Sequence, residues 1–301
     1  MRNFFTIIIC LNLSFAFACL NGETKILKNG SIIYEDYEGV IPHGHQFYQK
    51  NFPNLIRELD SLYIATNDVA YLSDKGYILT ITKKYQEAIK IYLQIEKIAP
   101  NRYSTASNLG TIYELIGQNE EAFKWIEKSI KINPDSHEGS EWLHLNILKA
   151  KIEGKPIQGD LLIGLSFGKA LSPTTIKTWE DLEKMQKAIF FQLNERISFI
   201  KPKDEIIAEL LFELANIQMV LKDFYSAIEL YKKALSYGLQ NELANYRIDL
   251  AIERSGESYR ARIQNLNNVN DYHKNLFVGT LIISLLIIIV LSLIVFKLRK
   301  R

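Results

Sequence analysis

The residues best equipped for chemistry lie near the N-terminus. His43-Gly44-His45 is the only histidine cluster in the chain, and Glu35, Asp36 and Glu38 precede it. Imidazole nitrogens and carboxylate oxygens are ordinary ligands of zinc-like ions, but a site needs further ligands at a fixed spacing. None is fixed here, so no metal is expected, and the segment reads as an exposed loop flanked by Pro42 and Gly44. No Gly-rich phosphate loop, nucleophile elbow, CxxC, CxxCH or HExxH motif is present. Glu120-Glu121 and the lysines of the same region read as solvated helix faces, and Tyr85, Tyr92, Tyr103 and Tyr113 as packing between helices. With no catalytic set, neither an enzyme, a cofactor nor a small-molecule substrate is expected.

The elements that carry these residues are set by an internal repeat. Gly76, Ala88 and Pro100 recur 34 residues later as Gly110, Ala122 and Pro134, and Glu87, Lys90, Lys97 and Ile98 recur as Glu121, Lys124, Lys131 and Ile132. Tyr85, Ala88, Ile89, Tyr92 and Ile95 fall at helical spacing and form one apolar face. The glycines sit on the first helix of each pair, where a missing side chain admits the second helix. The alanines do the same from the other side, and the prolines stop each second helix. A helix pair of this kind leaves a hydrophobic face uncovered and must stack on a neighbour.

Leu109-Gly110, Tyr113, Ala122 and Pro134 fall at the spacing of the tetratricopeptide repeat, and the chain resembles that family. The first unit departs at Lys75 and Leu79 but keeps Gly76, Ala88, Tyr92 and Pro100. A third unit, 208–238, carries Leu211, Leu214, Ala215, Ala227, Tyr231 and Ala234 and ends at Tyr237-Gly238, and a half-unit follows at 242–255. His137–Lys151 reads as a helix capping the second unit. Thr178–Ile200 is an amphipathic helix with Trp179, Leu182, Gln186, Ile189, Leu193 and Ile197 on one stripe. The Cys-Leu-Asn-Gly-Glu start of 19–23, Ile197–Pro202 and the Leu-Leu-Phe-Glu-Leu-Ala run of 210–215 are similar to bacterial membrane-anchored tetratricopeptide proteins, a likeness that implies no activity.

The family resemblance implies an all-α helical-repeat solenoid whose first helices line a concave, partner-binding surface. Carried over position by position, that groove in the first block consists of Ser73, Tyr77, Thr80 and Ile81, then Ser107, Thr111, Glu114 and Leu115. Repeat proteins that clamp the acidic C-terminus of heat-shock chaperones place lysine, arginine and asparagine on this surface. Here Asn108 alone matches, with no lysine or arginine beside it, and an acidic tail would meet Glu114 uncompensated. The expected partner is therefore a protein segment that is largely apolar or hydroxyl-rich, such as a helix anchored on Tyr77 and Leu115.

The two ends place these elements. Arg2, the apolar run Phe4–Phe17 and Ala16-Phe17-Ala18 form a secretory signal. Leu276–Phe296 is 21 residues without a charge, long enough for a bilayer, and Lys297, Arg299, Lys300 and Arg301 follow. Discounting Arg2 and the tail cations, 31 basic residues face 34 acidic ones, so the working region is mildly acidic and nucleic acid is not an expected partner. Cys10 leaves with the signal, and Cys19 becomes a lone residue at the mature N-terminus and a candidate for lipidation.

The expected organisation is a signal peptide (1–18), an N-terminal arm (19–60) forming a short hairpin or an extended segment, and a first repeat block with its capping helix (61–152). A linker loop (153–175) leads to the amphipathic helix and second block (176–262), then a juxtamembrane stretch (263–275), a transmembrane helix (276–296) and a cytoplasmic basic tail (297–301). The expected function is a single-pass, membrane-tethered protein-interaction scaffold with its bulk on the non-cytoplasmic side. The alternative is the ectodomain subunit of a membrane signalling system that acts through a partner helix.

Overall fold

A computed structural model describes residues 24–48 and 50–256. The proposed signal peptide, Cys19, the proposed transmembrane helix and the basic tail lie outside these residues. No helix among the described residues is long and apolar enough to cross a membrane. The chain divides into two compact units, one of residues up to 157 with 184–207, the other of 158–183 with 208 onward.

In the first unit, β1 (Thr24–Ile26), β2 (Ile32–Glu35) and β3 (Gln46–Phe47) form a three-stranded antiparallel sheet in that order. The arm is thus folded rather than extended, and the all-α repeat fold carries a small sheet. Gly30 adopts a φ of 84° in the β1–β2 turn, and Leu27 N–H donates to the Ser31 carbonyl at 2.9 Å. Leu27, Ile33 and Tyr34 pack with Leu55 and Leu59 of helix α1 (Phe52–Thr66) and with Ile78. Asn51 starts α1 by accepting the Asn54 N–H on its side chain, with proline in the first turn. The expected boundary between residues 60 and 61 therefore falls inside a helix.

The repeat appears as two helix pairs whose ends all shift by 34. Helices α2 (Val69–Ile81) and α3 (Tyr85–Ile98) are followed by α4 (Tyr103–Leu115) and α5 (Asn119–Ile132). A Cβ on Gly76 would lie 2.7 Å from Tyr92 Cζ, and one on Gly110 would lie 2.5 Å from Ile126 Cγ1. Both glycines are therefore required by close approach of the second helix, and Ala88 and Ala122 are wholly buried opposite. Leu72, Leu79, Tyr92, Ile95, Leu109 and Ile112 share one core spanning both pairs, so each pair covers the other's open face. Each such fully buried aliphatic contributes about 1.5–3 kcal/mol. Two short-to-medium helices follow, α6 (Ser136–Gly139) and α7 (Glu141–Glu153). Leu148 of α7 joins Ala122 and Ile126 in a further core and closes the block.

In the second unit, helix α8 (Gly159–Ile163) lies within the stretch expected to be a bare loop. Helix α9 (Trp179–Phe199) follows and contributes its residues from 184 on to the first unit. Helices α10 (Glu205–Val220) and α11 (Phe224–Ser236) form the third pair, and a further helix runs over 243–256. Arg247 on this last helix is fully buried. It donates to Asn216 Oδ1 at 2.5 Å and to the carbonyls of Gly168 and Ala170 at 2.8 Å, pinning the preceding loop. Tyr231 takes the place that Tyr92 has in the first repeat and donates to Asn216 Oδ1 at 2.6 Å.

Candidate functional site

A cleft of ≈ 350 Å³ opens in the first unit, on the first-helix side of the repeat block. Six of the eight groove positions line it: Tyr77, Thr80, Ser107, Thr111, Glu114 and Leu115. Ser73 and Ile81 do not. Ser73 accepts the Tyr92 hydroxyl on its carbonyl at 3.2 Å, and Ile81 packs with Tyr77 against the core under the sheet. The remaining walls come from α7, from the 191–199 end of α9 and from the sheet, through His144, Lys151, Phe191, Arg196, Phe199 and Tyr34 among others.

Those walls change the electrostatics expected of the groove. Glu114 was expected to stand without cations, yet three surround it. Arg196 binds it in fork geometry, Nη1 to Oε1 at 2.8 Å and Nη2 to Oε2 at 3.1 Å. His144 Nε2 lies 2.7 Å from Oε2, and Lys151 Nζ 2.7 Å from Oε1. Burial alone would push this carboxyl up. The guanidinium of Arg196 and then the His144 ring outweigh it and hold Glu114 well below the usual carboxylate range. The compensation comes from helices distant in sequence, which inspection of the repeat alone misses. The chain's own α9 thus forms one wall of the groove.

Beside Glu114, Glu141 is held by Tyr103 OH at 2.7 Å, Ser107 Oγ at 3.1 Å and His137 Nδ1 at 3.0 Å, all on Oε1. Its Oε2 is buried and pairs with His144 Nδ1 at 3.4 Å. Burial again opposes ionisation, but the bonds from His137 and His144 keep this acid ionised far below its ordinary range. The His144 ring, set between Glu114 and Glu141, is raised despite its burial, chiefly by the charge of Glu114.

The histidine cluster of the arm has a different role from an exposed loop. His45 is buried, its Nδ1 2.8 Å from Asp36 Oδ1 and its Nε2 2.9 Å from Glu195 Oε1. Its ring stacks on Tyr34 at 3.7 Å. Burial opposes the charge, yet the Glu195 carboxylate, with the hydrogen bonds the ring donates to Asp36 and Glu195, raises His45 to about 10. Gly44 N–H donates to Asn194 Oδ1 and His45 N–H to Ser198 Oγ, each at 2.7 Å. A side chain on Gly44, whose φ is 80°, would press on the backbone at Ser198. This is a clasp between the arm and α9. Among the described residues, no group of His, Cys, Asp or Glu is arranged to hold a metal.

Sequence reasoning left out Glu141, His144, Lys151, Glu195 and Arg196. The available signal was a polar ridge on each helix, Glu141, His144 and Lys151 on α7 and Gln192, Glu195 and Arg196 on α9, at helical spacing. Polar ridges are ordinarily solvated, whereas Gln192 and Arg196 are 4% and 7% exposed.

The tetratricopeptide repeat profile matches residues 69–102, 104–136 and 208–237, which are the three helix pairs. No curated protein matches the chain. Among solved structures, the chain is similar to a MamA RS-1 double mutant at 17% identity over 62% of this chain and 84% of that one, with a TM-score of 0.35. It is also similar to a tetratricopeptide repeat protein from Parabacteroides merdae at 15% identity over 67% and 93%, with a TM-score of 0.33. BtubC from P. vanneervenii is 13% identical over 70% and 84%, with a TM-score of 0.30. Identification rests on the repeats themselves rather than on these superpositions. The Gly76–Tyr92 and Gly110–Ile126 contacts, the 34-residue register and the three profile matches agree, and the chain carries three tetratricopeptide repeats.

Proposed function

We propose that this protein is a membrane-tethered interaction scaffold whose repeat blocks lie outside the cytoplasmic membrane and dock a protein partner. The observation that carries the scaffold reading is the first block itself. Stacked helix pairs present Tyr77, Thr111 and Leu115 at an open cleft, each only partly buried and available to a partner's side chain. The partner segment is largely apolar or hydroxyl-rich and is anchored on Tyr77 and Leu115, beside the wall that α9 adds to the cleft. The tether rests on sequence: a span without charge at 276–296 followed by four cations within five residues.

Protease added to intact spheroplasts tests the arrangement. The region 19–275 is digested and a membrane-embedded C-terminal fragment survives. A chain that is cut only after the cytoplasmic face is opened contradicts the topology.

A further inference from the structure

The second unit displays apolar side chains that its helix pair does not need for packing. Exposed large apolar residues occur mostly one at a time along the described sequence, which is ordinary for a protein surface. Three of them fall within the short stretch 171–179, however: Leu171 is 55% exposed, Ile176 99% and Trp179 55%. The loop that carries them is fixed from within the unit. Phe167 is buried, and its carbonyl accepts the Thr174 N–H at 3.1 Å. Arg247 holds the carbonyls of Gly168 and Ala170, Pro173 is buried, and Thr178 and Asp181 cap each other at the start of α9. Apolar side chains held outward on an anchored loop mark a contact surface.

The same loop is basic, and it lies beside the last described residues. Lys169 and Lys177 stand among its apolar residues. Arg254, on the last helix, donates from Nη1 to Ser172 Oγ at 3.1 Å. An open cavity there brings Arg254 and Lys222 together with Ser172 and Thr175, over Val220 and Phe224. None of these four cations has a carboxylate partner among the described residues. Asp181 and Asp223, close to them in sequence, are taken up as helix caps.

Residues 257–275 separate this point from the uncharged stretch 276–296. That connection spans at most about 65 Å when fully extended. A tether at 276 therefore holds the loop at high local concentration against the bilayer, where a contact too weak to recruit a free protein is occupied. Apolar and indole side chains beside lysine and arginine suit the layer in which headgroup phosphates meet acyl chains.

From the anchored apolar loop, its cations and its place beside the last described helix, we infer that residues 169–179, with Lys222 and Arg254, rest on a phospholipid surface. Leu171, Ile176 and Trp179 enter the acyl boundary, and the cations meet phosphate. The inference rests on the membrane-tether reading and is independent of which protein the first block docks.

The test uses the full chain in nanodiscs of phosphatidylcholine, with or without phosphatidylglycerol, whose acyl chains carry bromine, a short-range quencher of indole fluorescence. The tryptophans of the chain are Trp125, Trp142 and Trp179. Brominated lipid dims the native chain, and more strongly when phosphatidylglycerol is present. Trp179→Phe, a change at an exposed position, removes at least half of that loss. Lys222→Glu combined with Arg254→Glu abolishes the added effect of phosphatidylglycerol. In chains that have entered the discs, no quenching, or equal quenching in the native chain and Trp179→Phe, overturns this proposal alone. A phosphatidylglycerol effect that is absent, or that survives the double charge reversal, overturns the role given to the cations. A chain that does not enter the discs overturns the tether and this proposal together. A discrete protein adduct from a photoreactive residue at position 176 in native membranes assigns the loop to a protein partner and overturns it as well.

Discussion

Lys83 and Lys222 hold left-handed backbone, with φ of 60° and 65°, at the turn within a helix pair where the second repeat has Gly117 at φ 78°. A side chain in that conformation costs roughly 1–2 kcal/mol, against a smaller entropic penalty for glycine. Lys83→Gly and Lys222→Gly should each raise stability by about 0.5–1 kcal/mol, measured as the midpoint of denaturant unfolding. Gly110→Ala should do the reverse. Alanine's better helix propensity, about 1 kcal/mol, is set against a Cβ driven into Ile126, which is wholly buried and cannot move aside. The expected net loss is about 1–3 kcal/mol. At this scale the glycine and alanine positions were legible because close approach of two helices admits few residue types. The partners of Glu114 were not, because nothing local to Glu114 indicates that Arg196, 82 residues away, will reach it.

Helix α9 shows what the periodicity of an element conveys and what it omits. Leu182, Ile189, Leu193 and Ile197 of the expected stripe are buried, whereas Trp179, at its start, is 55% exposed. Polar residues flanking the stripe are buried too: Asn194 holds the arm, Gln192 donates to Ser140 Oγ at 3.1 Å, and Arg196 reaches Glu114. An apolar stripe identifies the side that must be covered. It says nothing of whether a polar side will also find partners, which is decided by tertiary pairing. The short sheet was left open for a related reason, since strands of two to four residues are too brief to show an alternating pattern.

The clasp on α9 has a pH signature. His45 is raised from 6.5 to about 10 in the folded state, so it stabilises fully below pH 6.5 and progressively less as pH rises toward 10. Across that window one group changes stability by up to about 1.4 kcal/mol per pH unit. Thermal unfolding followed from pH 6.5 to 9.5 should show this decline, and His45→Gln should flatten it. An unchanged slope in the variant would mean that other groups govern the alkaline limb.

At the scale of the molecule, the first repeat block was legible from recurrence at 34 residues, and the third pair, in the second unit, from residues that match the repeat pattern. How the first block is completed was not legible. The arm and α9 close on it through contacts between residues about 150 positions apart, such as Gly44 to Asn194. The result is a groove narrowed by the chain itself, with three half-buried residues of the first helices left at its lip.

The claim that this lip engages a protein is tested most directly by placing a photoreactive residue at Leu115 in the full chain, in its native membrane. Ile176, 99% exposed on the second unit, serves as the control position. The account predicts a discrete protein adduct from position 115 that is absent from position 176 and is lost on Tyr77→Ala in a chain that still folds. No adduct at position 115, or the same adducts from both positions, would contradict it.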